Sequence, residues 1–417
     1  MKSKLIIFVA VLFTTIGFAQ EKIIKKIEFE GLDKTKPSFV KSIIKVKEGE
    51  PLDSLILNKD IDRLRRLPSF AHVYFQVKDD VVTYHFQENF TILPDINLWT
   101  VSDELWFKVG AYEYNLLGRN ITLGGFYQYN THNSYGVNLK IPFLFGSRFG
   151  VELNHMNWTS DEPLYFGPND IEATYTYQNR SIELLGFYEL DFKNTFSVGG
   201  TFFNERYNHV EGADEITDKP LTLNIDKWLL KFNYEYNNVK QHFFYVDGIA
   251  NSFYFQSVKT AEGVADDFLI GWNDVKYYKR VKEKGNLAFR FRVGLATNND
   301  SPFAPFALDN HINIRGIGDR IDRGTATVIL NNEYRHTLYE NDWLGIQGVG
   351  FVDTGLIRQP GEDISNFLRA NKVNVYPGIG LRFLHKRIYN AVIRIDYGYG
   401  VTRNSSNGLV IGLGQYF

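Results

Sequence analysis

The sequence contains no cysteine among its 417 residues and only 2 methionines. A chain without cysteine has no disulfide framework, so apolar burial and backbone pairing must stabilise its fold. Beyond the N-terminal region it also has no uninterrupted apolar run of the length that a membrane-spanning helix requires. A mature chain that crosses a membrane would therefore have to cross it with strands.

Neither sign of charge predominates along the chain. The 46 Lys and Arg residues stand against 48 Asp and Glu residues, which gives a formal net charge of -2. Such a balance provides no basic field over the molecule, so we expect no nucleic-acid partner.

Aromatic residues and glycine are abundant. The chain has 34 Phe, 25 Tyr and 35 Gly, and aromatic residues make up 16% of it. Aromatic side chains fit a pleated, half-buried surface, so this composition favours strands over helices. A length of 417 residues exceeds that of one ordinary domain, so we expect at least two structural units, of which the larger is β.

Residues 1–19 have the features of a secretory signal peptide. Two lysines form a basic head, residues 5–18 are apolar, and the small residues Gly17 and Ala19 precede a cleavage point. The alternative is an N-terminal membrane anchor, but the apolar stretch is shorter than the ~20 residues of a spanning helix. We therefore predict that residues 1–19 direct export and are removed.

Residues 21–90 change between strand and helix patterns in the order β-α-α-β-β. The segment KIIKKIEFEGL alternates apolar and charged residues and stops at Gly31, which predicts a strand. The segments KPSFVKSIIKV and PLDSLILNKDIDRLRRL carry apolar residues at helical spacing, and Pro37 suits a first helical turn. Two further predicted strands, AHVYFQVKDD and VVTYHFQENF, are joined at the Asp79-Asp80 turn.

This order, with FEGLDKTKP, KEGEPLD and LPSFAHVYF at the turns, resembles a POTRA domain, the polypeptide-transport-associated module. The alternative is an unrelated small α+β module, because many folds share these elements. We predict one POTRA domain at residues 21–90. Such a domain has a sheet edge to which an unfolded polypeptide can add a strand through main-chain hydrogen bonds.

Residues 91–417 repeat about ten residues of alternation followed by a turn. In NLAFRFRVGL, apolar residues on one face oppose Arg290 and Arg292, and in AVIRIDYGY they oppose Arg394 and Asp396. One polar and one apolar face suit the lumen and the lipid-facing wall of a transmembrane β-barrel. A soluble two-layer sandwich also has an apolar face, so alternation alone leaves both folds open.

Connector lengths favour the barrel. We predict sixteen antiparallel strands, at residues 93–101, 104–115, 119–130, 134–143, 147–158, 170–192, 195–208, 222–236, 241–257, 267–281, 285–297, 324–338, 343–356, 373–385, 389–401 and 407–417. The even-numbered connectors are short turns, whereas the odd-numbered ones include the longer segments 159–169, 209–221, 298–323 and 358–372. This asymmetry is typical of outer-membrane barrels, and an even strand number lets the sheet close without an edge.

The longest predicted loop carries the stretch HINIRGIGDR, in which Arg315 stands between Ile314 and Gly316. A charge on a glycine-rich loop is commonly solvated, and this is one interpretation of Arg315. A family resemblance provides another. Ile314-Arg315-Gly316 is similar to the V-R-G motif of the outer-membrane assembly-factor superfamily, also called bacterial surface antigens, which includes BamA-like and TamA-like insertases and two-partner secretion translocators.

Other motifs carry the same resemblance. Phe351, Asp353 and Gly355 on the thirteenth predicted strand fit the family's F-x-D-x-G, and Glu333 occupies an acidic position on the twelfth. The stretch EYNLLG, residues 113–118, is similar to an early D-N-x-x-G turn. Together with the POTRA-like segment, the resemblance covers essentially the whole mature chain.

The resemblance implies that the loop folds back into the lumen and that Arg315 pairs there with Glu333 and Asp353. Residue parity supports this, because both acids alternate with apolar residues and should face inward. A guanidinium in a narrow, partly desolvated lumen needs carboxylate partners in fork geometry, and glycine lets the loop approach the wall. Lysine should therefore substitute poorly for Arg315.

The last predicted strand ends in an aromatic residue. It contains Gly412, Tyr416 and Phe417 in LVIGLGQYF, and such an ending is similar to the signal by which assembly machinery recognises outer-membrane strands. Gln415 stands where an aromatic residue is typical. This signal would mark the chain as a client of assembly rather than as its agent.

The family resemblance also implies a location and a function. It implies a protein of the outer membrane of a Gram-negative-type bacterium, with its POTRA domain in the periplasm, that inserts or translocates polypeptides. The implied partners are outer-membrane lipid, unfolded β-rich client polypeptides and accessory periplasmic or lipoprotein subunits. The first and last strands would form a weak seam, which Pro94 suits because proline cannot donate to a sheet ladder.

Two other function classes stand beside this one. The first is a passive diffusion pore with an accessory periplasmic domain, in which Arg290, Arg292, Arg382 and Arg394 would favour anions. The second is catalysis, but the sequence has no GxSxG, HExxH, phosphate-loop or Cys/His cluster that fits its context. We therefore expect no enzyme activity, no cofactor and no metal site.

Overall fold

A computed structural model describes residues 22–101, 104–144, 148–166, 171–242, 244–261, 267–299, 301, 303–310, 312–317, 322–369, 372–386, 388, 391–402 and 405–417. The predicted signal peptide, residues 1–19, lies outside these residues.

Residues 22–90 form a small α+β unit in the predicted order. Its elements are β1 (Lys26–Glu30), α1 (Pro37–Ile43), α2 (Ser54–Leu64), β2 (Phe70–Lys78) and β3 (Val81–Glu88). β3 is the central strand, parallel to β1 and antiparallel to β2. Asp79 and Asp80 both have positive φ in the two-residue turn between β2 and β3, as a tight hairpin requires.

Local side chains explain where the two helices begin. Pro37 lies in the first turn of α1, and the Asp53 carboxylate accepts hydrogen bonds from the amides of Leu55 and Ile56 at the start of α2. Both helices bury one face in a core that includes Val40, Ile43, Leu57, Ile61, Leu64, Val73, Val82 and Tyr84. None of the helices in the described residues is long and apolar enough to span a membrane.

The rest of the described chain forms an antiparallel barrel of sixteen strands. They are β4 (Ile92–Val101), β5 (Glu104–Leu116), β6 (Ile121–Tyr129), β7 (Asn133–Ile141), β8 (Phe149–Phe166), β9 (Ile171–Glu189), β10 (Asn194–Gly212), β11 (Thr222–Asn237), β13 (Tyr245–Thr260), β14 (Phe268–Val281), β15 (Gly285–Ala296), β18 (Ala326–Glu340), β19 (Leu344–Arg358), β20 (Asn374–His385), β21 (Val392–Tyr399) and β22 (Asn407–Leu413). The chain also has the short strands β12 (Lys240–His242), β16 (Phe306–Leu308) and β17 (Asp322–Gly324), and the short helix α3 (Ile364–Phe367). β22 lies beside β4 and closes the cylinder, which confirms the predicted fold class.

The two faces of the wall differ as the alternation predicted. Outward positions carry exposed apolar side chains, among them Val137, Leu184, Val198, Leu230, Phe291, Leu295, Leu330, Leu381 and Ile393. Inward positions carry buried polar and charged side chains, among them Arg290, Asn331, Glu333, Gln347, Asp353, Arg382, Arg394 and Asp396. An apolar exterior around a polar interior is the arrangement of a membrane-spanning barrel and not of a soluble sandwich.

The α+β unit rests on short turns at one end of the barrel. Arg66 donates through Nη1 to the main-chain oxygens of Phe192 and Asn237, at 2.7 and 2.8 Å. Arg63 pairs with Glu189 at 2.9 Å. These contacts hold the end of α2 against the turns that follow β9 and β11.

The turn after β5 is a second docking point. The main-chain amide of Lys36 donates to the main-chain oxygen of Gly118 at 2.9 Å. Gly118 has a φ of +67°, and a Cβ at this position would lie 2.1 Å from the main-chain oxygen of Lys34. The glycine of the EYNLLG stretch is therefore required both by the turn and by the approach of the α+β unit.

Several strand boundaries differ from the predicted ones, and two of the differences change the course of a loop or of the chain end. The predicted loop 159–169 is largely strand, because β8 extends to Phe166. This extension is stabilised by an apolar cluster of Leu164, Ala173, Tyr175, Tyr207 and Ala213. The last strand ends at Leu413 and not at residue 417, because Gly414 turns the chain with a φ of +84°.

Candidate functional site in the barrel lumen

The long connection between β15 and β18 contacts the barrel wall at two places. Its residues 312–317, here called the loop tip, lie against the inner wall of β18 and β19. At the base of the connection Arg323 pairs with Glu162 of β8 and donates to the main-chain oxygen of Ala304 at 3.0 Å. Because β8 and β19 stand on opposite sides of the cylinder, the connection is attached to both sides.

Arg315 in the loop tip is 0% exposed. Its Nε and Nη2 donate to the two carboxylate oxygens of Asp353, at 2.8 and 3.0 Å, and its main-chain amide donates to the same group at 3.0 Å. Its Nη1 pairs with Glu333 and lies 3.7 Å from Oδ2 of Asp396. The structure thus brings Arg315 together with the acids selected from the sequence, in the fork geometry that a guanidinium favours, and adds Asp396.

Aromatic rings enclose the same guanidinium. Its Cζ lies 3.6 Å from the ring centre of Phe351 and 4.3 Å from that of Tyr416. A desolvated cation is stabilised by the faces of aromatic rings. Phe351 therefore supports Arg315 by direct contact, and a planar group fills the space between the rings better than an ammonium would.

Glycines permit the close approach of the loop tip to the wall. Gly316 has a φ of +97°, and a Cβ there would lie 2.5 Å from the carbonyl carbon of Gly398. A Cβ at Gly355 would lie 2.3 Å from Cδ1 of Ile314. Ile314 is buried in an apolar cluster with Leu308, Ile317, Ile329, Ile357 and Tyr376. The loop tip is therefore held by shape as well as by charge.

Further arginines pair with the carboxylates. Nε of Arg335 donates to Glu333, and Nη1 of Arg382 donates to Asp396 at 2.7 Å. Nη2 of Arg382 lies 3.5 Å from Glu333. Because a buried carboxylate without a partner is costly, these opposite charges stabilise one another. Sequence reasoning placed Arg382 and Asp396 in the lumen by parity but did not identify them, or Arg335, as members of this site.

A second part of the wall holds the first residues of the loop tip. Nη1 of Arg290 donates to the main-chain oxygen of Ile312, and Nη1 of Arg292 donates to Oδ1 of Asn313 at 3.3 Å. Asp274 of β14 accepts hydrogen bonds from both guanidinium groups. These arginines, considered above as the lining of an anion pore, are thus engaged with the loop tip.

The last residues of the chain do not continue the wall. The prediction that the final strand reaches residue 417 is wrong, because after Gly414 the chain turns inward and Tyr416 reaches Arg315. Gly412 lies within β22 and makes room for an arginine, since a Cβ there would lie 2.9 Å from Nε of Arg394. Phe417 lies with Tyr416 on the lumenal side, where its main-chain oxygen accepts a hydrogen bond from Arg335.

Strand β22 is bound to the loop tip at both of its ends. Ser406, just before the strand, donates through Oγ to the main-chain oxygen of Ile317 at 2.5 Å. Tyr416, just after it, covers Arg315 and donates through its hydroxyl to the main-chain oxygen of Asn310 at 3.5 Å. No sequence pattern indicates the Ser406 contact, because the contact depends on how the loop lies in the lumen.

The N-terminal unit matches a known protein family. Residues 22–89 match the POTRA family model, described as surface antigen variable number repeat. No curated protein matches the chain significantly.

Solved structures resemble nearly the whole chain. BamA from Haemophilus ducreyi lacking POTRA domains 1-3 has 16% identity and a TM-score of 0.54, over 94% of this chain and 84% of that one. CdiB from Acinetobacter baumannii has 13% identity and a TM-score of 0.61, over 95% and 74%. CdiB from Escherichia coli has 10% identity and a TM-score of 0.60, over 94% and 77%. At these identities the likeness shows the fold, a POTRA domain followed by a barrel.

Proposed function

We propose that this chain, a POTRA domain followed by a sixteen-stranded barrel, inserts or translocates client polypeptides at an outer membrane. The observation that carries the proposal is the buried contact of Arg315 with Asp353 and Glu333. This contact holds a loop inside a closed polar lumen. Its hydrogen bonds can be replaced by hydrogen bonds to other partners. The fold likeness to BamA and CdiB supports the same function.

The proposed orientation places the POTRA domain in the periplasm of a Gram-negative-type bacterium. The domain contacts the short turns of the barrel at Gly118, Phe192 and Asn237. In outer-membrane barrels the short turns face the periplasm and the longer loops face outward. The apolar exterior of the wall would then contact outer-membrane lipid.

The proposed route for a client strand is the seam between β22 and β4. β22 has 7 residues, fewer than its neighbour β21 with 8. β4 contains Pro94, which has no amide hydrogen to donate. A client strand could pair at this seam, and the exposed edges of the POTRA sheet, β1 and β2, offer the same kind of pairing to a client or an accessory subunit.

The proposed work consists of binding and strand exchange. No bond of the client is made or broken, so the proposal includes no enzyme activity and no cofactor. The free energy for insertion comes from the backbone hydrogen bonds and the apolar burial that the client itself gains in the membrane.

Depletion of the protein tests this proposal. We expect quantitative mass spectrometry of outer-membrane and secreted fractions to show lowered levels of β-rich proteins. A single lowered protein would indicate a dedicated translocator, and a broad loss would indicate general assembly. Unchanged levels of all such proteins after depletion would sink the proposal.

The alternative is a passive diffusion pore with an accessory periplasmic domain. The polar lumen with Arg382 and Arg394 on its wall is the observation in its favour. The pore predicts stable bilayer conductance with a defined ion selectivity, together with unchanged protein levels on depletion.

A further inference from the structure

The last residues of the chain lie on a surface of arginines inside the barrel. Residues 415–417, here called the tail segment, follow Gly414 and turn away from the wall. The guanidinium groups that contact this segment belong to Arg315, Arg335, Arg382 and Arg394.

The Tyr416 ring contacts two of these groups. Its centre lies 4.3 Å from Cζ of Arg315 and 4.9 Å from Cζ of Arg394. Tyr416 is 8% exposed and Arg394 is 6% exposed, so the ring covers both cations. The surface therefore accommodates an aromatic side chain, which is stabilised by contact with two cations.

Hydrogen bonds hold the residues on either side of the ring. Nε of Arg382 donates to Oε1 of Gln415 at 3.2 Å. Nη2 of Arg335 donates to the main-chain oxygen of Phe417 at 3.2 Å. The arginines thus contact one ring and two oxygen acceptors within three consecutive residues.

The tail segment leaves donors of this surface unused. Nε and Nη1 of Arg394 are buried without a hydrogen-bond partner in the part of the chain that the structure describes, and so is Nε2 of Gln415. A buried donor without an acceptor is unfavourable. The tail segment is therefore an imperfect ligand, and a segment with more oxygen acceptors would bind this surface better.

We propose that this surface is a binding site for a client segment that carries an aromatic side chain and oxygen acceptors, and that the tail segment occupies the site between clients. The inference rests on the proposed function for the identity of the ligand as a client. The tail segment follows β22, the strand at the seam. A client that displaces the tail segment therefore loosens the strand beside which it would pair.

A covalently attached ligand competes strongly with a free one. Its effective concentration is on the order of millimolar when the linker is short. A free peptide should therefore bind weakly to the wild-type chain, even where the site suits it. Removal of the Tyr416 ring should make the site available.

Peptide binding to the purified full-length chain in detergent micelles tests the proposal. The probe is a fluorescent, C-terminally amidated peptide Gly-Leu-Gly-Gln-Tyr-Phe, followed by fluorescence anisotropy. We expect Tyr416→Ala to bind it about tenfold more tightly than the wild type does, because the competing ring is gone. The same peptide with alanine for tyrosine should bind weakly to both. Equal affinities of the wild type and Tyr416→Ala would overturn the proposal.

Substitution of two cationic residues in the Tyr416→Ala background provides a test and its matched control. Arg394 belongs to the proposed site, whereas Lys231 is a lumenal cation of β11 that pairs with Glu183 away from it. Arg394→Gln should weaken peptide binding about tenfold, the size of one desolvated cation–ring contact. Lys231→Gln should leave it unchanged. Equal losses would mean that the peptide responds to general lumenal charge, and the site would be wrong.

A second measurement does not require Tyr416→Ala to fold. The chain has no cysteine, so Phe417→Cys introduces a single thiol into the tail segment. Displacement of the tail segment by the peptide should increase the rate of maleimide labelling severalfold. An unchanged rate at peptide concentrations that saturate the anisotropy signal would contradict the proposal.

These measurements separate the site from the proposed function. Peptide binding with unchanged protein levels after depletion would support the site and reject the proposed function. Lowered client levels without peptide binding to Tyr416→Ala would support the function and reject the site.

Discussion

Arg315 shows how a single charged residue can be stable inside a barrel. The Asp353 carboxylate accepts hydrogen bonds from its side chain and from its main chain. Phe351 and Tyr416 contact its guanidinium, and Arg315 is fully buried. A buried charge is tolerated only with such complete pairing, and the loss of one partner leaves the others unpaired.

Replacement of Arg315 should therefore release the loop tip. Arg315→Ala leaves the Asp353 and Glu333 carboxylates without a partner from the loop, and breaking a buried ion pair costs about 3–5 kcal/mol. We expect faster proteolysis of the loop in a barrel that remains heat-modifiable on gels, and Arg315→Lys should not restore the wild-type rate. Arg206→Ala is the control, because Arg206 is exposed and donates to Asn224 at the surface. Equal rates of proteolysis in the two alanine variants would mean that the buried contacts of Arg315 do not hold the loop tip.

Two glycines of β19 allow a test of packing without any change of charge. A Cβ at Gly355 would meet Cδ1 of Ile314 at 2.3 Å, whereas a Cβ at Gly350 would have nothing within 4 Å. Gly355→Ala should destabilise the loop tip by about 1–3 kcal/mol through overpacking, and Gly350→Ala should be neutral. Ile314→Val in the Gly355→Ala background removes the contacting carbon and should restore protection of the loop from protease. If protection from protease is not restored, the destabilisation by Gly355→Ala does not come from contact with Ile314.

At the scale of elements, a few side chains join parts that are distant in sequence. The end of α2 meets the barrel through Arg63 and Arg66, and β22 meets the loop tip through Ser406 and Tyr416. Contacts of this kind are individually modest, so the elements can separate without unfolding of the parts they join.

Arg66→Ala should loosen the POTRA domain from the barrel. Arg66 gives hydrogen bonds to two turns of the barrel, whereas its neighbour Arg65 donates to Val73 inside the domain at 3.0 Å. The amide of Lys36 donates across the interface to Gly118 and reports docking by hydrogen exchange. With about 1.5–3 kcal/mol for each charged hydrogen bond, exchange at Lys36 should accelerate at least tenfold in Arg66→Ala. Similar acceleration in Arg65→Ala would indicate loss of domain stability and not of docking.

Adjacent serines test the attachment of β22. Oγ of Ser406 donates to Ile317 in the loop tip, and Oγ of Ser405 donates to Thr402 within its own turn. Ser406→Ala should weaken the attachment by about 0.5–1.5 kcal/mol. Spin labels on β4 and β22 should then report a larger fraction of separated strands than in Ser405→Ala. Identical distance distributions in the two variants would exclude a role of Ser406 at the seam.

At the scale of the molecule, local pattern located the wall but not the contacts across the lumen. Alternation along a strand decides which side chains face inward, so it predicted an inward position for Glu333 and Asp353, and both are buried. The contact of Asp396 with Arg315 depends on strand order around the cylinder and on the path of the loop, which no local pattern contains. The same holds for Tyr416, because one glycine after β22 decides whether it lies in the wall or in the lumen.

The occupied lumen also predicts the electrical behaviour of the barrel. The connection between β15 and β18 places the hairpin of β16 and β17 and the loop tip across part of it. We expect low conductance of the wild type in planar bilayers. Replacement of residues 303–323 by a short glycine-serine linker should raise conductance severalfold, since the polar wall then lines a water-filled channel. A wild-type conductance equal to that of the deletion variant would show that the connection does not obstruct the lumen.

The contact of Arg323 with Glu162 limits the circumference of the barrel. It ties the connection to β8, while the loop tip is tied to β18 and β19 on the far side, so the connection is anchored at two opposite points of the wall. Adding one strand to a sixteen-stranded cylinder lengthens the circumference by about one sixteenth. The tie resists that expansion. We therefore expect one of its two ends to detach when the barrel takes in a seventeenth strand.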